Sequence, residues 1–294
     1  DKDTNPVIVM NGDSYCQLDF PAATKSHIQS GLPITLVLTE VLDVSRYGAV
    51  DFVPKPNGYD PAINFNTLKE QLIPKINSLY IKETFPQSHS IRINPHVSSR
   101  TIIPQKPKYI LIGSSTGGPQ ALTSLLPEIC KYTSIPIIIV QHMPPIFTKS
   151  LAENLNKCCN HTVIEVSQPE EVKEKSIYIA AGDFHMTISE SKNKMVLNIN
   201  KEPHENFCRP SVDVLFRSAA KVLGENTIVL MLTGMGKDGT KGLIPLKEKR
   251  GYVIAQDEES SVVWGMPKSA IEANLVDEVL PLNSIAKRIA DRCR

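Results

Sequence analysis

Nowhere in this 294-residue chain is there a run of the roughly 20 apolar residues that a membrane-spanning helix needs, and its opening does not resemble a signal peptide. Membrane insertion is therefore not expected, and the chain reads as cytoplasmic. It has six cysteines (Cys16, Cys130, Cys158, Cys159, Cys208 and Cys293) but no CxxC pair and no regular spacing. That argues against both a disulfide framework and a zinc ribbon, whose ligands need workable spacings. Adjacent Cys158 and Cys159 could hold a metal only with ligands from elsewhere, so reduced thiols are expected. There is no concentration of one charge either: 32 basic residues face 31 acidic ones, net +1. Nucleic acid is not an expected partner, because backbone binding needs a concentrated basic face. No repeat and no low-complexity tract is present. The chain opens at Asp1 without an initiator methionine, which reads as a fragment of something longer.

What is present suits a packed protein of two α/β domains. The apolar share of 41% can build cores, and a charged share of 21% is too ordinary for a disordered chain. Residues 1–80 carry two buried-strand candidates, 7–10 and 34–38, and a helical spacing of Leu68, Leu72, Ile76 and Leu79 interrupted by Pro74. Residues 81–107, rich in Pro, Ser and His without apolar periodicity, read as a linker. From 108 to 294 strands and helices alternate. Strands are expected at 109–112, 135–140, 177–179, 227–232 and 251–255, and helices at 118–130, 147–158, 211–223, 241–249 and 267–273. Continuous β-branched runs alternating with amphipathic helices predict a three-layer, doubly wound, mainly parallel sheet of Rossmann-like type.

Three strand ends carry chemistry. Gly113, Ser115 and Gly117 fit G-x-S-x-G, a sharp strand-to-helix turn that presents a serine hydroxyl beside helix N-terminal amides. By itself the motif fits a nucleophile, a phosphate-cradling loop or a plain turn equally well. The typical dinucleotide fingerprint is absent, since Gly113, Gly117 and Gly118 are wrongly spaced for it. Two other strand ends break the tie: the strand at 137–140 runs through Gln141 to His142, and the strand at 227–232 leads into a glycine-rich loop holding Asp238. In a parallel sheet all strand C-termini share one edge, where ligands bind. A hydroxyl, an imidazole and a carboxylate at three such ends predict a Ser115–His142–Asp238 triad. A nucleotide-binding module and a noncatalytic signalling scaffold are the alternatives; the first makes no use of His142 or Asp238, and the second predicts a damaged triad. His185 is the only rival histidine and reads as structural.

At these motifs the sequence resembles the chemotaxis-specific protein-glutamate methylesterases, the CheB family. The resemblance runs from Lys108 to about Ile289. It rests on Ile-Gly-Ser-Ser-Thr-Gly-Gly (112–118), Gln-His-Met-Pro-Pro (141–145), Ala-Gly-Asp-Phe-His-Met (181–186), Arg-Pro-Ser-Val-Asp-Val-Leu-Phe (209–216), Leu-Thr-Gly-Met-Gly-Lys-Asp-Gly (232–239) and Val-Val-Trp-Gly-Met-Pro (262–267). It implies a serine hydrolase that demethylates glutamate γ-methyl esters on chemotaxis receptors, with receptor-glutamine deamidation as a second activity. It implies catalysis by Ser115, His142 and Asp238, oxyanion donation from the backbone of Thr116 and Met235, and no metal or organic cofactor. Ser114 stands where the family commonly has alanine.

Residues 1–80 resemble a truncated or degenerate receiver domain, on Arg-Tyr-Gly-Ala-Val-Asp-Phe-Val-Pro-Lys-Pro (46–56). The resemblance places Lys55 at the phosphate-sensing lysine and Thr39 at the switch hydroxyl, and implies a sensor histidine kinase as partner. Asn11 stands where the acceptor aspartate is expected, with Asp13 out of register. An amide cannot form an acyl phosphate.

Overall fold

The structure, a computed structural model, describes residues 106–293, the strands Val7–Met10 and Thr35–Leu38, and positions 73 and 75. The chain divides into two compact units, Asp1–Phe52 and Val53–Arg294. In the first, β1 (Val7–Met10) pairs in parallel with β2 (Thr35–Leu38), two of the expected strands. Asn11, Asp13, Thr39 and Lys55, and positions 81–105 of the linker expected at 81–107, lie outside the described residues.

The second unit is built on β3 (Tyr109–Ser114), β4 (Ile137–Gln141), β5 (Thr162–Val166), β7 (Ser176–Ala180), β10 (Thr227–Met231), β11 (Tyr252–Gln256) and β12 (Glu278–Leu280). They form one seven-stranded sheet, ordered β12-β11-β10-β3-β4-β7-β5, with every pairing parallel. Helices α1 (Gly118–Tyr132), α2 (Pro145–Cys158), α3 (Val212–Val222), α4 (Thr240–Glu248), α5 (Gly265–Glu272) and α6 (Leu282–Cys293) complete the unit. No described helix is long and apolar enough to cross a membrane.

The central strands are apolar on both faces because both are covered. Leu111, Ile138, Val140, Tyr178, Val229, Met231 and Val253 pack with residues of α3, α4 and α5 in one buried cluster. Their neighbours along the strands, among them Ile110, Ile112, Ile137, Ile139, Ile228 and Leu230, are equally buried on the alternate face. Leu122, Leu126 and Ile129 of α1, Leu155 of α2 and Ile285 and Ile289 of α6 are buried too.

The order has one consequence for chemistry. From β3 the chain winds through α1 to β4 on one side, while β10 lies on the other. β3 is thus the switch point, where the two halves of a doubly wound sheet diverge and open a crevice at the strand C-termini.

All five strands and five helices expected from 108 onward are present, within two residues at most ends. The pattern did not announce β5, β6 (Glu170–Glu171), β8 (His185–Ser191), β9 (Lys194–Asn200), β12 or α6. β6, β9 and β8 make a small antiparallel sheet. Its hairpin turns through Lys192 and Asn193, both at positive φ, without the Asn-Gly signal that marks such turns. Its strands carry lysine, asparagine and glutamate because only one face is covered.

Candidate active site

Ser115 directly follows β3, and its backbone is tied to both neighbouring strands. On the β10 side its amide donates to Thr233 O at 3.0 Å. On the β4 side the His142 amide donates to Ser114 O at 3.1 Å, and Gln141 Nε2 donates to Ser115 O at 2.9 Å. The Ser114 hydroxyl, buried, donates to Gln141 Oε1 at 2.7 Å. The Ser114 hydroxyl is therefore consumed in the scaffold. Helix α1 begins three residues after Ser115, through Gly117 at φ 79, a left-handed conformation that favours glycine. Across from Ser115, Gly234 approaches so closely that a β-carbon there would lie 2.8 Å from Ser115 Cβ. Gly113 and Gly118 are used the same way: side chains on them would run into Val212 and Gln141. The glycines serve close packing, and the Gly118 amide is occupied by Ser115 O at 2.8 Å, which leaves little of a phosphate cradle.

His142 follows β4 and Asp238 lies in the loop after β10. Their side chains meet: His142 Nε2 is 2.7 Å from Asp238 Oδ2. The carboxylate is buried at 3% exposure and accepts four further hydrogen bonds. Ser211 Oγ donates at 2.8 Å and Asn206 Nδ2 at 2.7 Å, both to Oδ1. The amides of Val212 and Asp213, the first two of α3, donate at 2.6 and 3.2 Å. A carboxylate at a helix N-terminus is favoured by the unpaired amides and the dipole there. Burial alone pushes the Asp238 carboxyl up, but the His142 hydrogen bond and charge, with the Val212 and Ser211 donors, outweigh it and hold it at about 2. For His142, burial favours the neutral ring, yet hydrogen bonds to Asp238 and Cys208 prevail and raise it to about 10.

With Nε2 committed to Asp238, Nδ1 is the ring nitrogen left for proton transfer. Cys208 Sγ lies 3.6 Å from it. Ser115 sits on the same sheet edge, and among the described residues its hydroxyl makes no hydrogen bond, to His142 or to any other group. Thr116, whose amide was expected to serve an oxyanion, is buried just past the turn, and Met235 follows Gly234 on the opposite wall. His185 is buried with both ring nitrogens engaged: Nδ1 accepts from the Ser211 amide at 3.2 Å, and Nε2 faces Pro203 O at 3.0 Å. It supports the residue that supports Asp238.

The residues that sequence reasoning did not single out are Asn206, Cys208 and Ser211. Asn206 Nδ2 also donates to Asp213 Oδ2 at 2.8 Å, bridging two buried carboxylates. Burial, with the Asp238 charge alongside, pushes the Asp213 carboxyl up. Only Ser211 left a trace, as a serine just before a helix. Asn206 and Cys208 reach the site on a turn with no strand end or glycine motif to mark it.

The CheB methylesterase family model matches residues 110–289. A protein-glutamate methylesterase/protein-glutamine glutaminase of Desulfotalea psychrophila is 45% identical over 258 residues, covering 82% of this chain and 71% of the relative. One of the same name from Thermotoga maritima is 41% identical over 254 residues, covering 85% and 72%. The crystal structure of the Thermotoga maritima CheB methylesterase catalytic domain superposes with a TM-score of 0.61 at 45% identity, over 63% of this chain and 98% of that one.

Proposed function

The chain belongs to the CheB methylesterase family, and we propose that it demethylates glutamate γ-methyl esters of chemotaxis receptors through a Ser115–His142–Asp238 triad. Its activity is that of a carboxylic ester hydrolase acting on protein glutamate, with deamidation of protein glutamine as the companion reaction its relatives' names carry. The observation that supports the triad is the 2.7 Å contact between His142 Nε2 and Asp238 Oδ2 at the end of the strand next to Ser115.

The chemistry follows from that contact. A serine hydroxyl is too weak an acid to attack an ester unaided near neutrality, so it needs an adjacent base. Once the ring has lost its second proton, Asp238 keeps the remaining one on Nε2, which leaves the Nδ1 lone pair to take the Ser115 proton. Such a hydrogen bond is often open in a free enzyme and tightens when substrate arrives. As Ser115 Oγ attacks the carbonyl carbon, negative charge develops on the carbonyl oxygen, and the backbone amides of Thr116 and Met235 receive it. Each donor of this kind contributes about 3–4 kcal/mol. The imidazolium then protonates the departing methoxide, and methanol leaves a glutamyl-enzyme ester. Water, deprotonated by His142, hydrolyses that ester and returns glutamate and the free hydroxyl. With a glutamine side chain the same route expels ammonia, a harder leaving group.

Residues 108–294 form the catalytic domain in this reading, residues 81–107 the linker and residues 1–80 the receiver remnant. A sensor histidine kinase is the partner that a receiver implies, though Asn11 offers no acceptor carboxylate. In this reading the enzyme works in the cytoplasm, on the receptor helices that carry the methyl esters. The deciding experiment incubates the chain with receptor carrying labelled methyl esters and follows methanol. Ser115→Ala is expected to lose at least about a thousandfold in rate; equal rates with the unaltered chain defeat the triad.

A further inference from the structure

Cys208 reaches His142 from a four-residue turn that is built to hold it still. Glu205 and Cys208 exchange both backbone hydrogen bonds, at 3.1 and 2.9 Å, around Asn206 and Phe207, which sit at φ 51 and 63. Arg217 of α3 grips Glu205 with both guanidinium nitrogens, at 2.6 and 2.5 Å, a bidentate pair that fastens the turn to the helix. Non-glycine residues at positive φ persist where the surroundings over-determine them, and such strain gathers at functional sites. The side chain delivered by this device is a half-buried thiol 3.6 Å from the one ring nitrogen of His142 that Asp238 does not hold.

We propose that His142 Nδ1 and Cys208 Sγ form the protein half of a site for a thiophilic divalent cation of the zinc class, and that occupation of this site switches the esterase off. The switch rests on the reading of His142 as the base; the binding does not. Distance is the first argument. A tetrahedral zinc ion with bonds of about 2.0–2.1 Å to nitrogen and about 2.3 Å to sulfur holds its two donors about 3.5 Å apart. The observed separation matches without movement of either element.

The far side of the ring is also arranged as at a metal site. Metal-binding histidines usually donate their other N–H to a carboxylate, which fixes the tautomer and strengthens the nitrogen as a ligand. Asp238 already occupies that place, and its four other donors keep it from turning into the coordination shell. It acts behind the histidine and not as a ligand. Among the described residues, His142, Cys208 and Asp238 are the only three His, Cys, Asp or Glu side chains whose donor atoms approach one another this closely. The other described cysteines, Cys130, Cys158, Cys159 and Cys293, make no such group.

Binding is a balanced exchange. The cation takes the sulfur of Cys208 and the lone pair of His142 Nδ1, and displaces to solvent the thiol proton and the second ring proton that His142 carries below about pH 10; nothing is oxidised or reduced. Water fills the remaining positions, because the thiol is only half buried. The bond that forms on Nδ1 uses the lone pair that Ser115 needs, so the bound ion and the working base exclude each other.

The test uses the full chain in two measurements. Cobalt(II), a spectroscopic substitute for zinc, is expected to give a thiolate-to-metal charge-transfer band that saturates at one equivalent, is displaced by zinc, and is lost in Cys208→Ala. A band that survives unchanged in that variant, or no band in the unaltered chain, overturns the site. Zinc is expected to stop methanol release, and a chelator to restore it. Cys208→Ala, compared with its own metal-free rate, is expected to need at least about tenfold more zinc. Cobalt binding at Cys208 without loss of turnover overturns the switch. Turnover that persists in Ser115→Ala defeats the triad and leaves the cobalt result standing, so the two failures are distinguishable.

Discussion

The Val212 amide, first of helix α3, donates to Oδ2 of Asp238 at 2.6 Å, the same oxygen that faces His142. The carboxylate that orients the imidazole is thus also the cap of a helix from elsewhere in the chain. In the proposed mechanism one residue thus serves the fold and the chemistry with one atom.

Replacing it separates these duties poorly, and that is measurable. Asp238→Asn puts an amide against the donors Ser211, Asn206, Val212 and Asp213, and leaves buried N–H groups without acceptors. A stability loss of about 2 kcal/mol or more is expected in denaturant unfolding. Methanol release is expected to fall about 10⁴-fold, because the tautomer is no longer fixed. Ser115→Ala is expected to abolish turnover yet unfold at nearly the denaturant concentration of the unaltered chain, since its hydroxyl holds nothing together.

His142 couples rate and stability to pH in opposite senses. Its folded-state pKa is raised to about 10, from an unfolded value of about 6.5. The stabilisation from the charged ring is complete below about pH 6.5 and is lost as pH climbs through about 10. The base, by contrast, appears as the proton leaves. The kcat/KM profile is therefore expected to keep rising well above pH 6.5, while unfolding free energy declines over the same window. Cys208→Ala removes one of the groups holding the proton, so the rising limb is expected to move to lower pH. A limb centred near 6.5 in both proteins contradicts the geometry.

Asp238 governs the acid side. Its carboxyl is held at about 2, below the usual carboxylate range, so its contribution is present above about pH 4 and disappears as pH falls through about 2. That is worth about 2 kcal/mol, shared with His142. Unfolding free energy measured between pH 4 and 2 is expected to fall more steeply in the unaltered chain than in Asp238→Asn.

Ser114 provides a control for mutagenesis at the adjacent serine. Ser114→Ala leaves Gln141 Oε1 buried without its donor, at a cost of about 1–3 kcal/mol. Turnover is expected to stay within a few-fold of the unaltered rate, since Ser115 keeps its backbone ties to Thr233 and Gln141. A collapse as deep as that of Ser115→Ala would show that the nucleophile has been misassigned.

Phe207 is fully exposed at φ 63, one residue before Cys208, and Ile146, four residues past His142, is 66% exposed. Two bare apolar side chains beside the site suit a protein substrate. Phe207→Gly is expected to raise stability by up to about 1 kcal/mol, by relieving the backbone. The same change, and Ile146→Ser, are expected to raise KM for methylated receptor and leave hydrolysis of a small ester unaffected. Equal effects on both substrates exclude docking at these side chains.

Much of this was written in local pattern. Runs such as Ile137–Gln141 predict covered parallel strands, G-x-S-x-G predicts the turn at Ser115, and the rule that parallel strand ends share an edge puts Ser115, His142 and Asp238 on one side. Those readings need only periodicity and turn chemistry, which act over a few residues. The half-exposed hairpin of β8 and β9 escaped them because its strands face water on one side and its turn lacks glycine. Strand order, the choice of imidazole nitrogen for Asp238, the service of Asp238 as cap to α3 and the seat of Cys208 against Nδ1 belonged to the tertiary structure alone. Each joins residues 26 to 96 positions apart, and no local preference specifies which of several polar groups arriving at one sheet edge will meet. Packing of helices on both faces decided it, by delivering the turn before α3 to the mouth of the crevice between β4 and β10.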